Sequence, residues 1–238
     1  MLKKVLEKFS LSTESRNRLL NGCIESPEEF REVAQAILSG HFLVQQKNKS
    51  VRVYPTCIEF YYHEEFDGGV FDPIVYHRNK KGKDSIPAFN LGVLHNHVSG
   101  IDITFEKGNE PRIACRASAL IREFRIEGRN KIETRSTYLY EALYSQFSIF
   151  DGGFNVSWQD GDTINIKVSG YRKNVAQFVM SNGKYVKKKY DDGKHKTSSG
   201  YIQDERKWQF KIKEGSTQCF NDFEANIVFY FFMIEEEI

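Results

Sequence analysis

The sequence predicts an α+β protein, a single domain over residues 1–238 with N-terminal helices followed by a mostly antiparallel, curved β-sheet. Three observations predict it. An apolar stripe of helical period occupies residues 30–38, and alternation of period two takes over from His41. The chain is also rich in aromatic residues, 14% of its 238 residues with 19 Phe and 12 Tyr, which favours strands.

The elements follow in order. Ser12 to Leu20 is amphipathic and predicts a helix. "SPEEFREVAQAILSG" predicts the next one. Ser26 is a good N-cap, Pro27 fits the first helical position and Glu29 completes a capping box. Phe30, Val33, Ala34, Ile37 and Leu38 make its core-facing stripe, and Gly40 stops it. Strands are expected at "HFLVQQ", "VRVYPTCIEFYY", "IDITFE" and "ASALIREFRI". A further helix is expected at "STYLYEALYSQF", with Leu139, Leu143 and Phe147 on one side. Strands return at "TINIKVSGY", "KWQFKIK" and "ANIVFYFFMI". No internal repeat breaks the chain. "SNGKYVKKKYDDGKHKTSSG" is expected as a surface loop whose lysines, interleaved with Tyr185 and Tyr190, could meet phosphates.

Several classes are disfavoured. No apolar run reaches the roughly 18 residues of a membrane span. "MLKKVLEKFSLSTES" lacks a sustained apolar stretch before a cleavage site, so an intracellular, cytoplasmic protein is expected. Cys23, Cys57, Cys115 and Cys219 are far apart without C-x-x-C spacing, which argues against a structural zinc site or a disulfide scaffold. A net charge of +2, from 34 basic and 32 acidic residues, neither requires nor excludes nucleic acid.

Candidate chemistry begins in "CIEFYYHEE". Alternation puts Ile58, Phe60 and Tyr62 on one face, and Cys57, Glu59, Tyr61 and His63 on the other. Arg122 lies inside the apolar strand "ALIREF", and a buried guanidinium needs a partner. A buried Glu59–Arg122 pair meets that need, either as a structural ion pair or as a carboxylate base holding a water. His95 and His97 form H-x-H with Asp102 nearby and His77 upstream. They are either histidines near a turn or the ligands of a metal-dependent hydrolase.

Taken in order, these residues resemble the 3-methyladenine (alkyladenine, methylpurine) DNA glycosylase family. "AQAILSGHFLVQ" is similar to the family's helix-to-strand junction, and Glu59 and Tyr61 stand at its Glu-x-Tyr spacing. Asp72, His77, Arg78 and Asn79 follow in a similar order. "GVLHNHVSG" falls where the family has its DNA-inserting hairpin, "ALIRE" matches its Leu-Ile-Arg strand, and "RKWQFKI" is similar to its closing strand. Two hairpin tyrosines of the family are His95 and His97 here, and its wedge falls on Ser99. Residues 151–205 have no counterpart in the family, and the resemblance implies an insertion there.

The resemblance implies a monofunctional DNA N-glycosylase, active without metal or cofactor. A damaged purine is flipped out of double-stranded DNA. Glu59 activates a water, Arg122 helps to hold it, and Tyr61, His77 and His97 enclose the base. His95, Asn96 and Ser99 meet the DNA from the hairpin. The expected partner is double-stranded DNA with a damaged base, no membrane is involved, and the protein is a monomer. The alternatives are a non-catalytic nucleic-acid or protein-binding member of the fold, or a metal-dependent hydrolase built on His95, His97 and Asp102.

Overall fold

Helices α1 (Leu2–Lys8), α2 (Thr13–Leu20) and α3 (Glu28–Leu38) precede the sheet. The computed structural model describes residues 1–72, 74–75, 77–79, 87–109, 112–145, 148, 150–170, 172–174, 178–181, 184–187, 202–203, 206–214 and 216. Sequence periodicity did not single out α1, although Leu2, Leu6 and Phe9 are all buried. Helix α2 starts as expected, with the Ser12 hydroxyl accepting from the Ser15 amide at 3.2 Å. Helix α3 does not. Pro27 keeps an extended ψ of 150° and is the N-cap, so Ser26 lies outside the helix and makes no cap. Glu29 closes no capping box, because its carboxylate accepts from the Ser12 amide and the Ser15 hydroxyl, each at 2.8 Å. It thereby ties α3 to the start of α2.

The apolar stripe of α3 is fully buried. Phe30 stacks on Phe60 at 4.6 Å between ring centroids and meets the edge of Trp208 at 5.0 Å. Such aromatic pairs are worth ~0.5–1.5 kcal/mol beyond the area they bury.

The main sheet contains β1 (His41–Gln46), β2 (Lys49–Glu64), β3 (Leu94–His97), β4 (Gly100–Thr104), β5 (Lys107–Asn109), β6 (Arg112–Ile126), β7 (Ile132–Glu133), β8 (Asn155–Gln159) and β9 (Ile166–Gly170). Two short pairs follow, β10 (Lys173–Asn174) with β13 (Ile202–Gln203) and β11 (Phe178–Ser181) with β12 (Lys184–Lys187). The last described strand is β14 (Gln209–Ile212). The central order is β3-β4-β6-β2-β1-β8, and among the described residues the strands of the main sheet pair antiparallel. This is the expected α+β class.

Strand β2 organises the sheet. Along one edge it pairs with β6 from Val53 to Glu64. Along the other, β1 takes its first half and β14 its second, with Gln209 opposite Glu59. One face presents Ile58, Phe60, Ile101, Ile103 and Phe105 to α1 and α3, forming the core. The opposite face carries Glu59, Asp102, Ser118 and Leu120, all buried. Near the β3–β4 end it is covered by a 3-10 turn, Ser136–Tyr138, and by α4 (Leu139–Tyr144).

Other expectations meet the structure unevenly. The helix expected over 136–147 is a 3-10 turn followed by the short α4, with Leu139 and Leu143 buried; Phe147 lies outside the described residues. Within 151–205, β8 and β9 belong to the main sheet. Part of the expected basic loop is the strand pair β11–β12. The rest of that loop, and the strand expected at "ANIVFYFFMI", lie outside the described residues. Among the described residues no helix is long and apolar enough to cross a membrane.

Candidate active site on the polar face of the sheet

The site begins with two irregularities in the β2–β6 ladder. The register runs Pro55↔Phe124, Cys57↔Glu123 and Ile58↔Ile121, so Arg122 falls between paired residues of β6. A bulge of this kind re-aims a side chain. Here it brings Glu123 opposite Cys57, while Arg122, two residues from Leu120, lies on the face of Glu59 by alternation and reaches it diagonally. Arg122 Nε donates to Glu59 Oε2 at 2.9 Å and Nη2 to Oε1 at 2.8 Å, a bidentate pair. The Tyr61 hydroxyl donates to Oε1 at 2.6 Å, and Gln209 Nε2 to Oε2 at 3.3 Å. Glu59 is completely buried, and among the described residues these four donors occupy acceptor positions of its carboxylate. Burial and then the Glu59 charge hold the Tyr61 phenol well above its ordinary value, so it remains a donor.

The register also places the histidines. Gln209, Glu59, Leu120, Asp102 and His95 lie opposite one another across five neighbouring strands. Glu59 and His95 are therefore three strand spacings apart, about 14 Å along the sheet. Asp102 stands between them. It accepts from the Ser118 hydroxyl at 3.3 Å and lies 3.1 Å from His97 Nε2. His97 Nδ1 accepts from the Ser99 amide at 3.3 Å, so a neutral ring carries its proton on the side of Asp102.

His95 and His97 stack with centroids 5.8 Å apart, and Phe89 lies 4.4 Å from His95. His77 completes the group, 5.5 Å from Phe89 and 5.8 Å from His95. Its Nε2 meets Glu106 at 2.6 Å, and Arg116 and the Phe89 amide both donate to the other oxygen of Glu106 at 2.9 Å. Burial, more than the opposing Asp102 charge, lowers the pKa of His95, which favours its neutral form at neutral pH.

A further buried cluster closes the face. Arg172 donates to Asp72 Oδ2 at 2.7 Å, Arg206 approaches the same oxygen at 3.5 Å, and both guanidiniums lie over Trp208. Arg172 also lies 5.3 Å from the Tyr61 ring.

The structure thus brings Glu59, Tyr61 and Arg122 together in one network, and His77, His95 and His97 in another. Asn96 is exposed and Ser99 half-buried on the β3–β4 hairpin. Val98 at its tip is 92% exposed. The Tyr140 hydroxyl donates to the carbonyls of His97 and Gly100, which anchors the hairpin to α4. Sequence reasoning missed Gln209, Phe89, Glu106, Arg116 and Val98. An arginine in the strand "IACRASAL" was a legible sign of another buried pair; a lone glutamine in "KWQFKI" gave none. Among the described residues no group of three or more His, Cys, Asp or Glu side chains could hold a metal ion. A cavity of about 630 Å³ opens on the opposite, apolar face, between α1, Phe42, Leu94 and Trp158. No known family model, no curated protein and no solved structure matches the chain.

Proposed function

We propose that the protein is a DNA glycosylase that removes an alkylated purine from double-stranded DNA, with Glu59 as the base that activates water. The observation that carries this reading is the convergence of Glu59, Tyr61 and Arg122 in one buried network. The same sheet face bears the aromatic group of His77, Phe89, His95 and His97. A flipped base stacks against the outer side of this group, whose rings are already in contact with one another, and the imidazole nitrogens offer hydrogen bonds to its edge. The hairpin tip offers Val98 to the space left in the duplex, as apolar wedges do elsewhere.

In the reaction, Glu59 takes a proton from water as its oxygen attacks the anomeric carbon. The N-glycosidic bond breaks and its electron pair leaves with the base. A purine alkylated at N3 or N7 is already cationic, so a weak base suffices. That matters because a carboxylate held by a guanidinium is a poor proton acceptor. The protein acts on DNA inside the cell, as a monomer.

Base release from methylated duplex DNA is the test, with Glu59→Gln as control. The variant is expected to bind duplex as the wild type does and to release no base. The saturation of Glu59 by four donors favours a second reading, a structural ion pair in a non-catalytic DNA-binding protein. A wild type that releases nothing from any alkylated or deaminated duplex, yet binds with a steep salt dependence, assigns the chain to that reading.

A further inference from the structure

Water can reach Glu59 only where a donor gives way, and the four donors are unequal. The two from Arg122 are charged and bidentate at 2.8 and 2.9 Å, and that from Tyr61 is the shortest at 2.6 Å. The Gln209 amide is neutral and reaches only 3.3 Å, which makes it the weakest of the set. Its orientation is nonetheless fixed. Glu59 can only accept, so the Gln209 NH₂ must face it, and the Ser169 hydroxyl donates to Gln209 Oε1 at 2.7 Å behind it.

The backbone supports the same assignment. Gln209 pairs with Glu59 on one side and with Gly170 on the other. The β9–β14 register shifts between Gln209 and Phe210, and Gly170 takes φ 141°. Bulges recur beside functional sites because they redirect one side chain without undoing the ladder. The shift leaves Ser169 between paired residues of β9, beside Gln209, while the regular β14–β2 pairing sets Gln209 directly opposite Glu59.

We propose that Gln209, oriented by Ser169, is a positioning residue that holds the Glu59 carboxylate and yields its place to the water that Glu59 activates. This rests on the reading of Glu59 as a base. In the yielded state the water donates one proton to Glu59 Oε2 and accepts from the Gln209 amide. The direct contact becomes a bridged one of nearly equal enthalpy, and a lone pair of the water is left for the sugar carbon.

The test uses Gln209→Met, which keeps length and removes the donor, and Ser169→Ala, which leaves Gln209 but frees its amide. Two readouts are taken: the pH dependence of single-turnover release from methylated duplex, and the ¹³C titration of the Glu59 carboxyl, assigned with Glu59→Gln. A donor to the charged form lowers an acid's pKa. Gln209→Met is therefore expected to move both the acid limb and the titration upward by about half a unit or more. Its plateau rate is expected to fall about 10- to 100-fold, a fraction of what acid–base catalysis supplies, with duplex affinity unchanged. Ser169→Ala is expected to move both readouts the same way by less, and it carries the test where Gln209→Met lowers stability. If the wild type releases base and both variants match it in plateau and acid limb, the role of Gln209 is overturned while Glu59 keeps its own. If the wild type releases none, the reading of Glu59 fails and takes this proposal with it.

Discussion

A carboxylate with no exposure, bound by a bidentate arginine, a phenol and an amide, is a stability element whatever else it does. Removing one member of such a pair leaves the other charge buried, which costs about 3–5 kcal/mol, whereas replacing both with apolar groups is often near neutral. Glu59→Ala is therefore expected to lower the urea midpoint steeply at neutral pH. The double variant Glu59→Ala/Arg122→Met is expected to recover most of that loss. Equal losses in the single and double variants would mean that the pair is not the energetic unit its geometry describes. Base release separates the roles, because Glu59→Gln retains acceptor and donor atoms of nearly the same shape while losing the proton acceptor.

Between residue and molecule stands the β3–β4 hairpin, which carries His95, His97 and Val98 and is held against the 3-10 turn and α4. Gly100 is the hinge of that contact. Its φ of 133° disfavours any side chain, and a Cβ there would lie 3.1 Å from the Ser136 Cβ and 3.2 Å from Leu120 Cδ1. Gly100→Ala is expected to cost about 1–3 kcal/mol, the usual scale of such strain. Amide exchange should quicken over residues 94–104 before it does in β2. Uniform quickening throughout the sheet would show that the hairpin is not a separate unit. Val98→Ala, at an exposed tip, is expected to leave stability within about 0.5 kcal/mol and to weaken binding to duplex. Unchanged binding would remove the tip from the DNA interface.

Across the whole molecule, both faces of the β2–β6 ladder are buried, one apolar and one polar, and this decides what the sequence could disclose. Alternation assigned Ile58, Phe60 and Tyr62 to one side and Glu59 and Tyr61 to the other, and the need to pair a charge within "ALIREF" joined Arg122 to Glu59. The registers that set Gln209 opposite Glu59 and leave Ser169 unpaired beside it leave no trace in alternation, because they arise from how distant strands meet. Helix α1 was overlooked although Leu2, Leu6 and Phe9 have helical spacing; the segment is short and begins with charge. The Asp72 cluster was hidden for another reason. Arg172 is 100 residues from its partner, and nothing near Arg172 or Arg206 signals that the two share a carboxylate. Burial alone would raise the pKa of Asp72, but Arg172 and then Arg206 outweigh it and hold the carboxyl below its ordinary 3.8. A depressed native pKa adds stability that is fully present above the unfolded value and is lost as the pH falls through the native one. Asp72→Asn is accordingly expected to be less stable than wild type at neutral pH, by about 3–5 kcal/mol for the unbalanced guanidiniums. The gap should hold down to about pH 4 and close below it, as the wild-type carboxyl itself takes up a proton. Urea midpoints of both proteins, compared from about pH 7 to about pH 2, measure that gap directly, since the other carboxylates titrate in both. A gap that stays constant to the acid end would mean that Asp72 is not held ionised by its arginines.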